Sequence, residues 1–117
     1  MQASSASRAP APWEIWLAYV RFADHPDVGK VRPVDIIDER AAAIVVAKVT
    51  TAEPQERFMY CALADWEREG LLKPSRVQVT PLFEIAQGDL LNGEPIGILT
   101  ERDRRALSLA LALGDKG

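Results

Sequence analysis

Gly29-Lys30-Val31-Arg32-Pro33-Val34-Asp35-Ile36-Ile37-Asp38 is the stretch on which the fold turns. Its first five residues combine a flexible hinge, two cations and a proline that fixes the backbone as an apolar run begins. Arg32 stands just before a strand that must be buried, so its guanidinium is held at the rim, where its fork of donors can meet a phosphate in two places. The pentapeptide alone equally allows a plainer reading, in which Arg32 is half of a surface ion pair and Lys30 is merely solvated.

Downstream, Val34 to Asp38 reads as a strand, Glu39-Arg40 as a turn, and Ala42 to Val49 as the most β-branched run of the chain, ending in Thr50-Thr51. Side chains alternate along a strand, which puts Ile44, Val46, Lys48 and Thr50 on one face and Val45, Ala47 and Val49 on the other. An antiparallel hairpin of these two strands sets Arg32 opposite Thr50, a cation and a hydroxyl 18 positions apart in sequence. Upstream, Trp13 to Phe22 reads as a strand with two apolar faces, which requires cover on both sides, as when a small sheet curls on itself and a helix closes one end. Asp24 to Gly29 reads as a loop punctuated by Pro26 and Gly29, and carries His25, the one histidine of the chain, expected to be solvated.

Further on, Phe58 to Leu63 is expected to be a strand, and Asp65 to Gly70 a helical turn stopped by its glycine. Ser75 to Thr80 alternates as a strand, with Ser75, Val77 and Val79 on one side and Arg76, Gln78 and Thr80 on the other; Leu82 to Ile85 continues it past Pro81. Asp89 to Glu94 reads as a loop and Pro95 to Leu99 as a short final strand. Thr100-Glu101-Arg102-Asp103 has the form of a helix N-cap with an acid three residues on, and Gly114 is placed to end that helix. Leu107 and Leu111 fall on one side of it and Leu109 and Leu113 nearly opposite, an apolar arc of about 200°. So wide an arc implies a second subunit or another protein against the helix, unless the helix is sunk deeply in its own core.

With 117 residues, 48% of them hydrophobic, the chain supports one core and one domain, expected over residues 13–117 behind a disordered lead-in of residues 1–12. It reads as a soluble globule: no window approaches the roughly 20 apolar residues of a membrane span, and the Ala-, Ser- and Pro-rich start lacks a signal-peptide run. Cys61 has no partner for a disulfide and reads as a buried thiol in a reducing compartment, the cytoplasm. A net charge of −3 excludes a protein that grips long duplex DNA by charge alone. Arg21, Lys30, Arg32, Lys48 and Arg57 nevertheless fall in the first half, enough for a small phosphate-binding patch if they share a face.

The order of these pieces resembles the MazF/PemK family of toxins from bacterial toxin–antitoxin pairs over about Trp13 to Leu113. Glu14-Ile15-Trp16-Leu17 is similar to the family's first strand, Gly29 to Val34 to its Arg-Pro loop, and Val46 to Thr51 to the strand ending in its catalytic threonine. Asp65-Trp66-Glu67 through Leu71-Lys73-Pro74-Ser75, and Ile96-Gly97-Ile98-Leu99, are similar to the PemK-like branch. The resemblance implies a mainly β, SH3-like small barrel with a C-terminal helix, and a cytoplasmic, metal- and cofactor-independent endoribonuclease (mRNA interferase). Such an enzyme cleaves single-stranded RNA by attack of the 2′-hydroxyl, is neutralised by an antitoxin and forms a homodimer. It implies Arg32 and Thr50 as the catalytic pair, Arg32 stabilising charge on the phosphorane and Thr50 positioning an oxygen, with Lys30, Lys48, Gln78 and Thr80 along the RNA groove. Where some members carry an arginine and an aspartate, this chain has Gln78 and Thr80, which leaves the general acid and base open between Arg32, His25 and neither. Pro12-Trp13 stands where the family commonly has a glycine. The alternative is a non-catalytic barrel that binds a protein, such as a gyrase-directed toxin; those use a tryptophan near the C-terminus, whereas the last tryptophan here is Trp66.

Overall fold

The computed structural model describes residues 9–22, 25–39 and 43–116. β1 (Glu14–Phe22), β2 (His25–Glu39), β3 (Ile44–Thr50), β4 (Tyr60–Ala62), β5 (Arg76–Ile85) and β6 (Gly97–Ile98) form one six-stranded antiparallel sheet in the order β4-β5-β3-β2-β1-β6. α1 (Glu101–Lys116) closes one side against β5 and β4. The fold is thus mainly β with a C-terminal helix, as expected, but the barrel is not closed by hydrogen bonds: β4 and β6 remain edges.

The two apolar faces of β1 are covered as its sequence requires. Ile15 joins Ala47, Val49, Val77, Val79 and Leu107 of α1 in one core. Trp16 and Ala18 join Val34, Ile36, Ile44, Val46 and Ile85 in a second core on the other face.

Strand limits differ from expectation where backbone pairing overrides punctuation. The expected loop before Gly29 is instead strand from His25 onward, because β2 continues its ladder with β1 through Arg21↔Gly29 and, past an irregularity, Phe22↔His25. Gly29 makes this possible: a Cβ there would lie 2.6 Å from the Val20 carbonyl and 2.7 Å from the Tyr19 ring. Residues 23–24 and 40–42, and with them the Arg40 half of the expected Glu39-Arg40 turn, lie outside the described residues, as do residues 1–8 of the expected lead-in. Within that lead-in Pro10 is buried and the Ala11 N–H donates to the Glu14 carboxylate at 2.8 Å, so residues 9–12 are held against the fold rather than disordered. Trp13 follows with φ of 73°, the left-handed region where glycine is at ease. Holding a tryptophan there costs on the order of 1–2 kcal/mol. It is fixed by its N–H donating to Ile36 O at 2.8 Å and its carbonyl accepting from Leu99 N at 2.9 Å.

β5 runs unbroken through Pro81, across a cis Thr80–Pro81 peptide, with a pronounced bulge. Gln78 pairs with Lys48 and Phe83 with Val46, so residues 79–82 stand opposite Ala47 alone. Gly114 does not end α1, which extends to Lys116. That glycine serves close packing instead: a Cβ would sit 3.2 Å from Thr80 Cγ2 and 3.3 Å from Val79 Cγ1. Nor is the helix sunk in its own core, since Leu107 is fully buried while Leu109 and Leu113 are 63% and 55% exposed.

The N-cap of α1 departs from the local pattern in an informative way. Thr100 Oγ1 does accept the Asp103 N–H, at 3.4 Å, but the Thr100 N–H donates to Glu69 Oε2 at 2.9 Å, from the turn before β5. Asp103 points back to that turn, accepting the Ala64 and Asp65 N–H groups at 2.9 Å each. The helix start and the 65–70 turn are therefore locked together by carboxylates rather than capped separately.

Candidate active site

The β2–β3 ladder ends at the pair Val34↔Lys48, while residues 30–33 stay paired with β1 and residues 49–50 with β5. The sheet parts there, and the gap is a recess of about 200 Å³ lined by Lys30, Val31, Arg32, Pro33, Val49, Thr50, Thr51 and Ser75. Arg32 and Thr50 are thus brought together, in the register that the last ladder pair sets.

The recess is cationic. Of the five basic residues named from the sequence as a possible patch, Arg21 is paired with Asp89 at 3.0 Å, and Arg57 lies over the Phe58 ring, 4.7 Å from its centroid. Lys30 and Arg32, which line the recess, and Lys48, which lies outside its lining in the ladder opposite Val34 and Gln78, remain, and among the described residues none has an ion-pair partner. Burial lowers the Arg32 pKa from its ordinary value. Burial also lowers that of Lys48, helped by the charges of Arg32 and Lys30. Like charges left unbalanced and partly desolvated amount to a site waiting for an anion.

Thr50 is oriented by its backbone. Its Oγ1 accepts the Ala52 N–H at 3.0 Å, a short turn that leaves the hydroxyl proton free to be donated into the recess. Arg76, directly opposite Thr50 in the β3–β5 ladder, donates to the Ala52 carbonyl and pins the same turn.

The other expected groove residues divide. Gln78 lies beside Lys48 in the sheet but is buried, with Nε2 donating to Thr80 O at 3.2 Å. Thr80 is not at the recess. Its Oγ1 accepts the Met59 N–H at 2.9 Å, and its side chain faces the end of α1, because the β5 bulge interrupts alternation. His25 stands seven residues along β2 from Arg32, about 23 Å of extended strand, too far to serve the same phosphate. Thr51 and Ser75 stand in segments that carry the family resemblance but are not marked by it as site residues; the divergence of the strands exposes both to one cavity.

Among the described residues, the recess lining includes no carboxylate, imidazole or thiolate to hold a metal ion. Carboxylate oxygens of Asp65, Glu69 and Asp103 do lie within 4.8 Å of one another elsewhere. Those of Asp65 are engaged by Arg102 and Thr100, and those of Asp103 by backbone N–H groups, which leaves Glu69 Oε1 without a partner among the described residues. Burial and the neighbouring Asp103 raise the Glu69 pKa from 4.5 to about 7, so this cluster holds a proton. Asp35, fully buried with both carboxylate oxygens unpaired among the described residues, is likewise pushed well above the usual range by burial and by Glu69. Cys61 is buried and its thiol pKa raised by burial, which keeps it protonated and unreactive.

No family model matches the sequence, and no curated protein does either. Solved structures do match. An endoribonuclease from a mycobacterial species superposes with a TM-score of 0.69 at 15% identity, over 96% of this chain and 96% of that one. The fold is the MazF fold. Toxin MazF-mt6 of Mycobacterium tuberculosis superposes with a TM-score of 0.61 at 22% identity, over 86% of this chain and 96% of its own. On this MazF-type sheet, Lys30, Arg32 and Thr50 stand at the mouth where β2 and β3 part.

Proposed function

We propose that the protein is the toxin of a type II toxin–antitoxin pair, a metal-independent endoribonuclease that cleaves single-stranded RNA in the cytoplasm. The observation that carries this reading is the recess itself, in which Arg32, Lys30 and a hydroxyl with a free proton face one another without an acid among the lining residues. Such a set suits a phosphodiester whose charge grows in the transition state. Arg32 binds the non-bridging oxygens and stabilises the phosphorane formed when the ribose 2′-hydroxyl attacks the adjacent phosphorus. Thr50 donates to one of those oxygens; already accepting from Ala52, it is a poor base and serves to position. The products are a 2′,3′-cyclic phosphate and a free 5′-hydroxyl. Lys48, outside the lining but near enough for the Arg32 and Lys30 charges to depress its pKa, adds field to the site. The superposition on an endoribonuclease and a MazF toxin favours this reading over a gyrase-directed binder.

The same reading includes a homodimer and an antitoxin. Leu109 and Leu113 present an apolar strip beside the cavity formed by Phe58, Met59, Thr80 and Gly114, a face suited to a second copy. An acidic antitoxin segment laid across Lys30, Arg32 and Lys48 would silence the enzyme by occupying the phosphate site. Incubating the protein with single-stranded RNA in chelator, and mapping the cut ends, tests the proposal. Cyclic-phosphate fragments that fall on the order of 10²-fold or more with Arg32→Ala, in a variant that still folds, are expected. RNA left intact at high protein concentration refutes it.

A further inference from the structure

Next to the Arg32–Thr50 recess lies a second one of about 450 Å³, whose wall is formed largely by Leu17, Pro33, Leu71, Leu72 and Ile96. Pro33, Thr51 and Ser75 line both, so the two adjoin along a shared wall. In a polynucleotide each base sits one sugar away from its phosphate. A phosphate seated between Arg32 and Thr50 therefore carries a flanking base to this shared wall.

The wall has the chemistry a base needs. Unstacked bases bury their faces against apolar or aromatic side chains and are read along their edges by a few polar atoms. Leu72 is 93% exposed, a large apolar side chain standing at the rim with almost no cover of its own. Ser75 donates its hydroxyl proton to Lys73 O at 2.7 Å, so towards the cavity its Oγ has only lone pairs to offer, an acceptor for a base N–H. The cavity is also preformed. Gly70 lies at φ +88° with the position of a Cβ only 2.7 Å from Ile96 O, so the turn carrying Leu71 and Leu72 packs flush on the segment before β6. Leu71 N–H donates to Trp66 O at 3.0 Å and fixes the start of the wall.

We infer that this apolar recess is a base subsite: it takes a nucleobase flanking the phosphate held by Arg32, stacks it against Leu72 and Leu17, and reads an N–H on its edge through Ser75. The inference rests on the endoribonuclease reading for its occupant and gives that enzyme a sequence preference.

The test separates binding from cleavage. Single-stranded 2′-deoxypentamers lack the attacking hydroxyl and remain intact; fluorescence anisotropy compares the four homopolymeric pentamers with a pentamer of abasic sugar phosphates. Base-bearing pentamers are expected to bind at least about tenfold tighter than the abasic one. Leu72→Ser and Ser75→Ala, with unchanged melting temperatures, should shrink that difference, Ser75→Ala also levelling the four bases. Arg32→Ala should weaken all five pentamers alike. Equal affinity for abasic and base-bearing pentamers overturns the subsite, as does a difference that both variants preserve; either result leaves the recess to a protein segment. Failure of every pentamer to bind overturns it too. Base-dependent binding by a protein that cuts no RNA would refute the nuclease while the subsite stands, and cleavage with no base discrimination would do the reverse.

Discussion

Replacing Glu69 with Gln should remove a loss of stability that the native protein suffers as pH rises through the weakly acidic range. Glu69 is fully buried, Oε2 is bonded to the Thr100 N–H, and Oε1 faces the Asp103 carboxylate without a hydrogen-bond partner among the described residues. Its pKa is raised from 4.5 to about 7 in the folded chain. Between those values the native state holds a proton that the unfolded state has released, so raising the pH favours unfolding. The contribution is fully present below pH 4.5 and is gone above the folded pKa of about 7. At about 1.4 kcal/mol per unit the whole effect is about 3 kcal/mol, or roughly 10 °C in melting temperature for a chain of this length. Gln is neutral throughout and keeps the acceptor for Thr100. Melting curves by circular dichroism at pH 5 and pH 8 should therefore show the wild type losing most of those degrees relative to Glu69→Gln. Asp35, whose pKa the Glu69 charge also helps to raise, is relieved of that charge in the same variant, so the difference between the two proteins reports Glu69 together with its effect on Asp35. Parallel curves for the two proteins would show that Glu69 is already ionised in the fold, and the reasoning about its burial would fail.

Three other outcomes are expected. Thr50→Val should lower RNA cleavage by about tenfold or more while Thr50→Ser retains most of it; an unchanged rate for the valine variant, measured on the same substrate, would remove Thr50 from the mechanism. Because the Lys48 pKa is lowered, its charge is lost at a lower pH than that of an ordinary lysine, so RNA affinity should show an alkaline fall that Lys48→Arg moves to higher pH. Identical pH profiles for the two proteins would place Lys48 outside the site. Light scattering at micromolar concentration should find a dimer that Leu109→Asp converts to a monomer, and a monomeric wild type would assign the exposed helix face to something else.

Much of this architecture is written in local pattern. Alternation along Ile44 to Thr50, with the proline after Arg32, is enough to put a guanidinium and a hydroxyl at one end of a hairpin, and β1 with two apolar faces demands the two cores that cover it. Alternation fails where register slips. Thr80 counts onto the face of Gln78, but residues 79–82 bulge opposite Ala47 and turn it towards α1, and no pairwise spacing in the sequence signals that bulge. The buried acids were also invisible, because Asp103 looks like half of a helix cap and Glu69 like a surface residue of a turn. Only their meeting across about thirty residues of chain makes them one proton-holding cluster. Trp13 was legible in part: it occupies a position where similar chains commonly have glycine, and its backbone has the sign that glycine tolerates best.

Ile37 marks the one irregularity in the ladder that leads to the site. β2 carries it as an extra residue against β3, between the pairs Ile36↔Val46 and Asp38↔Val45, and its side chain packs against the larger core. Every residue of β2 on the Arg32 side of that kink is indexed to β3 by this single offset. Loss of Ile37 itself would only straighten the ladder, leaving Ile36↔Val46 and Asp38↔Val45 as consecutive pairs, whereas a one-residue deletion in the regularly paired stretch between Pro33 and Ile36 would shift Arg32 by one position and turn its guanidinium to the other face. Single-residue length changes are therefore tolerable at Ile37, where the ladder can absorb them, and intolerable between Pro33 and Ile36, where they would invert the molecule's working surface.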